Sequence, residues 1–511
     1  MIIAIHNNDI LIDVLDKTFA SLSFKFIKTE TLTASILRLS EVYKDELLIW
    51  CHQDQKSVLN LNSLDYIFHH KRVLASFNPS DKNYIHNGIG YVERSFYLKI
   101  KKENTFTTWL MSDSIGGINT STLLALKNLI NPKNSLNYTL NSIAKASNVL
   151  GLFCYSEPKL VNKNINSCNE KPSIPILFKF VKEHYKWVWT WYLLLAFIVF
   201  EKRFLLFSFL KTIFSKQKHL DFDLETIKVA SKRQVITSKE IDVIIPTMGR
   251  KSYLYNVLKD FSTQTILPKR IIIVEQNPDP KSVTELDYIK KEEWPFHIIH
   301  KFTHQTGVVN ARNEALKEVK SEWTFLGDDD NRFNSTLIED LFTEIENYGT
   351  QVGTTVYLQP KEVQTYLKTA QTSIFGAGNA ILKTSLLDNV AFNKVYEFNY
   401  GEDNDFGMQL RLQGEDVVYF ASIKVTHLKA PIGGYRTKVA QAWANEKIKP
   451  LPSPTIQFLY QSYFTSKQLL GYKLLLGLRQ LKSKRSINII RSVKLFNKQW
   501  KQSQLWSTKL K

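Results

Sequence analysis

Three cysteines in 511 residues, Cys51, Cys154 and Cys168, are too few and too far apart to form a disulfide framework, and no Cys-x-x-Cys pair occurs. A zinc ribbon and a stapled secreted scaffold are therefore excluded, and a reducing compartment is expected. No Gly-x-Gly-x-x-Gly follows a strand-like run, so dinucleotide binding is not supported. The apolar run Trp187–Phe200 (WVWTWYLLLAFIVF) stops at 14 residues, short of the roughly 20 that a spanning helix needs. The start, MIIAIHNNDILIDVL, has no basic segment and no small-residue cleavage site, so no signal peptide is expected. Asp and Glu are missing altogether from Pro450 to Lys511, while Lys and Arg recur there. The formal net charge is +19, which calls for an anionic partner: nucleic acid, a membrane surface or a phosphorylated substrate.

What is present divides the chain into four stretches. Residues 1–170 read as an α/β domain, with strands at Ile2–Ile5 and Leu47–Trp50, helical patterning over Ile10–Phe19, and turns at Gly88–Gly90 and Gly116–Gly117. Cys51, His52 and the pair His69–His70 match no metal spacing and read as packed or surface residues. The role of this domain is not legible; its alternation of strand, polar strand end and glycine turn allows a reduced copy of the fold at 240–440. Residues 171–235 form an apolar linker in which Glu201-Lys202-Arg203 separates the 14-residue run from FLLFSFL. Flanking Trp, Tyr and Lys suggest an interfacial helix pair, and a buried hairpin joining two domains is the plain alternative. Residues 441–511 carry basic amphipathic patterns over Ile456–Leu476 and Ile487–Trp500. No nucleic-acid module is recognisable, so an anionic membrane surface is the expected partner, with helices packed on the preceding domain as the alternative.

Between 240 and 440 strands alternate with helices: Ile241–Pro246, Arg270–Glu275, Phe296–His300 and Trp323–Leu326, with helices at Tyr253–Phe261 and Arg312–Val319. That order predicts a doubly wound parallel sheet, whose ligands bind beyond the carboxyl ends of the strands. Thr247, Glu275 and Asp328–Asp330 all fall at such ends. Three adjacent carboxylates repel one another unless they are solvated or bridged by a cation, and hard oxygen ligands suit Mg²⁺ or Mn²⁺. A solvated turn capping the next helix is the alternative.

The succession IDVIIPTMGR, IIIVEQNPD, GVVNARNEAL, WTFLGDDDN and GEDNDFGMQLRLQG resembles family 2 glycosyltransferases of the GT-A fold over about 200 residues. The resemblance implies an α/β, GT-A (Rossmann-like, mostly parallel) catalytic domain and transfer of a sugar from a nucleoside-diphosphate donor. It implies that Asp328 and Asp330, or Asp329 and Asp330 if the register shifts by one, hold the cation, with His427 as a further ligand. Pro246, Thr247, Arg250, Glu275, Arg312, Asn313, Asp328 and Asp329 would hold the nucleotide sugar, and Arg436 would close on the diphosphate. The family often has Asp where this chain has Glu275. Asp403 is the implied base for an inverting transfer, with Glu402 second, and the strand Gly376–Lys383 flanks the acceptor. Absence of a Gln-x-x-Arg-Trp motif points to single transfer rather than polymer synthesis. The expected setting is the cytoplasmic face of a bacterial inner membrane, peripheral or monotopic, in surface-polysaccharide assembly on a glycan or lipid-linked acceptor. Two other classes stay open: a nucleotide-sugar-binding scaffold without turnover, and a nucleotidyltransferase.

Overall fold

A computed structural model describes residues 1–27, 29–163, 172–431, 439–483 and 488–510. Cys168 and Arg436 lie outside the described residues. The chain divides into two compact units, Met1–Arg233 with Tyr463–Ser483, and Gln234–Ser462 with Lys484–Lys511. This differs from the four stretches expected. Residues 172–233 of the expected linker belong to the first unit, where Leu177, Phe178, Phe180, Leu193 and Phe197 are buried in the core. Helix Val188–Ala196 runs into a π-helical turn, Phe197–Glu201. Glu201 pairs there with Lys467, and the Tyr192 hydroxyl donates to the Gly471 carbonyl. These contacts draw helix Ser466–Ser483 out of the expected basic tail and into the first unit. Among the described residues no helix is long and apolar enough to cross a membrane.

The first unit holds strands β1 (Ile2–Asn7), β2 (Ile10–Leu15), β3 (Leu47–His52), β4 (Val73–Phe77), β5 (Phe106–Thr107), β6 (Ile115–Asn119) and β7 (Phe153–Ser156), in the order β2-β1-β3-β6-β4-β7-β5. Two sequence expectations fail here. Ile10–Phe19 is not helical: Asn8 and Asp9, at φ 48° and 61°, turn the chain back so that β2 pairs antiparallel with β1. Leu11 is buried between exposed Ile10 and Ile12, which is strand periodicity. Gly116 and Gly117 are not a turn but lie within β6. A Cβ there would strike Trp50 at the first and Ile49 or Phe68 at the second. His69 and His70 are packed edge to face, and His69 Nδ1 meets Ser231 Oγ at 2.8 Å.

The second unit holds β8 (Ile241–Thr247), β9 (Arg270–Gln276), β10 (His297–Thr303), β11 (Trp323–Gly327), β12 (Asn331–Arg332), β13 (Val352–Leu358), β14 (Ala370–Gln371), β15 (Asn379–Lys383) and β16 (Val418–His427). Their order is β10-β9-β8-β11-β15-β13-β16-β12, with β14 on β16. The first four strands run parallel as expected. The rest of the sheet corrects the expectation of a mostly parallel one: β15 is antiparallel to both its neighbours. Residues 359–378, between β13 and β15, hold no helix. Without a crossover helix the returning strand has to run antiparallel. Helices Lys251–Ser262, Val308–Leu316, Leu337–Tyr348 and Glu402–Leu412 complete the α/β unit. Leu337–Tyr348 buries Leu337, Ile338, Leu341, Phe342 and Ile345, one helical stripe, and stops at Gly349 in the left-handed region. Each such side chain contributes roughly 1.5–3 kcal/mol by leaving water. The pairing Leu326↔Ile244 sets the β11 end beside the β8 end, so Thr247 and the aspartates after Gly327 come together.

Candidate active site

The three aspartates share no common partner set. Asp329 is buried and accepts from Thr247 Oγ1 at 2.7 Å and Arg250 Nη1 at 2.5 Å. Burial pushes its carboxyl up to about 6 against the pull of Arg250. Asp330 takes the Ala430 N–H on Oδ2 at 2.8 Å, with Arg250 Nη1 3.3 Å from the same oxygen. Burial alone would raise Asp330, but His427, Ala430 and Arg250 together hold it below the usual carboxylate range. Asp328 accepts from Arg312 Nη2 and from the Tyr357 hydroxyl, each at 3.0 Å.

His427 ends β16 and stacks on Tyr357 at 4.7 Å between ring centroids. Its Nε2 lies 3.4 Å from Asp330 Oδ1, an oxygen that is buried and without a hydrogen bond. A buried carboxylate oxygen left open beside an imidazole nitrogen fits two ligands of one divalent cation. Mg²⁺ in particular keeps waters and substrate phosphate oxygens in its remaining positions. Among the described residues no group of three or more His, Cys, Asp or Glu is arranged to hold a metal ion. Asp328, expected as a ligand, has its two oxygens engaged by Arg312 and Tyr357.

Helix Glu402–Leu412 begins with the second acidic group. Glu402 is buried, and its Oε2 accepts the Gly401 N–H at 3.1 Å. Asp403 follows, partly buried, with Oδ1 shielded and unpartnered. Burial and then the Glu402 and Asp328 charges push it up to about 7, while Arg312 and an Ala377 backbone bond pull it down. A carboxyl poised near neutrality is suited to take a proton. Arg312 thus acts on both acid groups, and its guanidinium also lies 5.4 Å from the Phe392 ring.

Other expected site residues take local tasks. Asn313 exchanges both amide bonds with the Phe392 backbone, at 2.8 and 3.0 Å, which fixes a loop rather than leaving the amide for a nucleotide. Glu275 accepts from Thr284 Oγ1 at 2.5 Å, meets His300 Nε2 at 2.9 Å and receives the Glu285 N–H at 3.2 Å. It thereby pins the loop that follows β9. Pro246 is buried within β8, one residue before Thr247.

Sequence reasoning missed three contributors. Tyr357 stands between Asp328 Oδ2 and Asn331 Oδ1, both acceptors that share its single hydroxyl hydrogen, at 3.0 and 2.8 Å. Glu397 receives the Val309 and Asn310 N–H groups at 3.2 and 2.8 Å, capping the helix that carries Arg312. Tyr253, Tyr255 and Tyr288, with Arg250, Glu285 and Ala430, line an open groove of about 470 Å³. No local pattern marks Tyr357 or Glu397. The tyrosines at 253 and 255, directly after the TMGR turn, were the available signal for the groove. Gly378 is also required: a Cβ there would collide with Asp328 Oδ2.

Residues 242–403 match the profile of glycosyl transferase family 2. An uncharacterized glycosyltransferase of Bacillus subtilis, YwdF, is 35% identical over 107 residues, 21% of this chain and 38% of that protein. The poly(ribitol-phosphate) β-N-acetylglucosaminyltransferase TarP of Staphylococcus aureus is 25% identical over 156 residues, 30% of this chain and 46% of that protein. The chain thus spans less than half the length of these curated relatives. Among solved structures, S. aureus TarS 1-349 in complex with UDP-GlcNAc aligns at TM-score 0.35 and 16% identity, covering 51% of this chain and 71% of that one.

Proposed function

We propose that this chain, whose residues 242–403 are a family 2 glycosyl transferase domain, moves a sugar from a nucleoside-diphosphate donor to an acceptor hydroxyl in one inverting transfer. The observation that carries the reading is the division of labour among the acids. Asp329 is locked to Thr247 and Arg250, Asp330 leaves an open oxygen beside His427, and Asp403 stands near neutrality within range of the Asp328 charge. The tyrosine-walled groove beside Arg250 suits a nucleoside, with Arg250 toward its phosphates. Asp330 and His427 would hold Mg²⁺ or Mn²⁺, which when bound offsets charge on the leaving diphosphate. Asp403 accepts the proton of the acceptor hydroxyl. The acceptor oxygen bonds to the anomeric carbon as the bond to the diphosphate breaks. Arg312 donates to Asp328 and limits the rise of Asp403. The test is turnover of nucleoside-diphosphate sugars by the purified chain with Mn²⁺ or Mg²⁺. Release of nucleoside diphosphate is expected; pyrophosphate instead would select nucleotidyl transfer, and binding without release a scaffold.

The acceptor fits a glycan or a lipid-linked glycan at an anionic membrane surface, on the cytoplasmic side. Support comes from the first unit. Phe207 and Phe214 are 85% and 90% exposed, in a short helical segment with exposed Phe204 and Ile213. From Lys202 to Leu220 there is no acid, and Lys202, Arg203, Lys211 and Lys216 are interleaved with these side chains. Large apolar tips among cations suit the headgroup boundary. Flotation with phosphatidylglycerol vesicles, weaker with phosphatidylcholine and lost in Phe207→Ser/Phe214→Ser, is the expected result. Equal flotation of the double variant sinks the assignment.

A further inference from the structure

The two units share more than a class. Beginning with Ile3 of β1, the first sheet can be read across one row of paired residues: Ile3, Ile49, Gly117, Ala75, Tyr155 and Thr107. In the second sheet the row from Val243 of β8 runs Val243, Phe325, Ile381, Gly353, Val418 and Gln371. In both rows the strands follow the same chain order: first, second, fifth, third, sixth, fourth. The pairings have the same senses in turn: parallel, antiparallel, antiparallel, parallel, antiparallel. A six-strand path with shared order, sense and register sets positions in one-to-one correspondence.

That correspondence reaches the site. Three residues on from Ile49 and from Phe325, His52 stands where the second unit has Asp328. Gln53 then stands for Asp329, and Asp54 for Asp330. Three residues on from Ile3 and from Val243, His6 stands for Pro246, and Asn7 for Thr247. Four residues back from Gly117 and Ile381 are Asp113 and Ala377. The Asp113 N–H is held by Asn137 Oδ1 at 3.0 Å, and the Ala377 backbone by the Asp403 carboxyl. Asn137 and Asp403 are each the second residue of the α-helix that precedes, in the chain, the last strand of the row. The copy therefore keeps the backbone hydrogen bond and replaces the carboxylate with an amide.

Outside the shared path the units diverge where the nucleoside would sit. β9 and β10, which carry Glu275 and His300, flank β8, whereas the hairpin strand β2 flanks β1. The strand-end space is also closed by a local bond: His6 Nε2 meets the Asp113 carbonyl oxygen at 2.8 Å. Burial pushes that imidazole down to about 4, so it stays neutral.

We infer that the first unit is a second GT-A-type module that has lost its donor chemistry: it takes no nucleoside diphosphate and carries an amide, Asn137, where the second unit has its base, and the chain carries one catalytic centre. A diphosphate needs compensating cationic or metal-bound charge, and a base needs an oxygen or nitrogen that can accept a proton; an amide is neither. The inference rests on the proposed donor site only for the second unit.

Calorimetry of the full chain with UDP, GDP, ADP and CDP, each with Mn²⁺, tests it. One equivalent per chain is expected from the matching nucleotide, and none in Asp330→Ala or Asp329→Asn. The wild-type stoichiometry decides the matter even if a variant fails to fold. Two equivalents, or one remaining in a folded variant, overturn the inference. No binding by the wild type would sink the donor reading of the second unit and leave the first unit as inferred. Turnover supplies the other arm: Asp403→Asn abolishes it, and Asn137→Ala leaves kcat/KM unchanged in protein that melts as a folded chain. Activity that survives Asp403→Asn and falls in Asn137→Ala would place the base in the wrong unit.

Discussion

Past Cys51 in the central strand of the first unit come His52 and Gln53, and past Gly327, the end of the matching strand of the second, come Asp328 and Asp329. Cys51 and Gly327 pair alike with their antiparallel neighbours, yet the side chains past them prescribe opposite outcomes. In the second unit every acid has been given a cation, a hydroxyl or a shielded pocket. In the first, the His6 imidazole and the Asn137 amide each bond the Asp113 backbone, at 2.8 and 3.0 Å. Strand order and register can thus persist while the chemistry at the strand ends is replaced, because the sheet depends on the buried row and hardly at all on the residues just past it.

The largest expected effect is at the acid that the copy has lost. Asp403→Asn should lower kcat by about 10²- to 10⁴-fold, the range for removing a general base. Initial rates of donor consumption with acceptor measure it; a loss under threefold would break the contrast with Asn137. Next is Asp330→Ala, which removes the open oxygen beside His427. Metal affinity should fall by at least the roughly 10- to 100-fold seen when a supporting partner of a ligand is removed, and a chelator should silence the wild type. Mn²⁺ titration of turnover reads both, and an unchanged half-saturation would remove Asp330 from the metal site. Gly378→Ala should cost about 1–3 kcal/mol by overpacking against Asp328. It should also depress turnover, whereas Gly117→Ala, which meets Ile49 and Phe68, should cost stability alone. Denaturation and rates on the same preparations separate the two.

A further contrast is in pH dependence. Asp403 is pushed up to about 7, mainly by burial, against roughly 3.9 for an aspartate in an unfolded chain. Its folded value is the higher one, so stability present below about pH 4 is lost as pH rises toward 7. Asp403→Asn should not show that loss, and kcat/KM of the wild type should rise to a plateau above about 7. Denaturation midpoints from pH 4 to 8 for the two proteins check the first part. Parallel curves would mean that Asp403 is not buried as described.

Strands were legible where apolar runs were bounded by polar turns. Ile241–Thr247, Arg270–Gln276 and Trp323–Gly327 lie within a residue or two of the expected ends. Ile10–Phe19 was misread because six residues of alternation are too few to separate strand from helix when the deciding feature is a turn at Asn8-Asp9. Gly116–Gly117 was misread because a glycine required by a neighbouring tryptophan looks, in sequence, like any turn glycine. Leu193 and Phe197 of the linker lie in the core of the first unit, because an apolar run too short for a bilayer is buried in protein as readily as at a lipid surface.

The sequence by itself determined the chemical inventory of the second unit. Acids stand at strand ends, an acidic pair opens a helix, and Thr247 ends β8 with Arg250 just beyond, because these depend on spacing along a few residues. Tertiary structure alone decided which acid does what. Asp328 and Tyr357 meet across 29 positions, Asp329 and Arg250 across 79, and Asp330 and Ala430 across 100. Desolvation and charge pairing act through space, so three identical neighbouring side chains acquire three different environments. For the same reason, the likeness of the two units lies in paired rows that no local motif records.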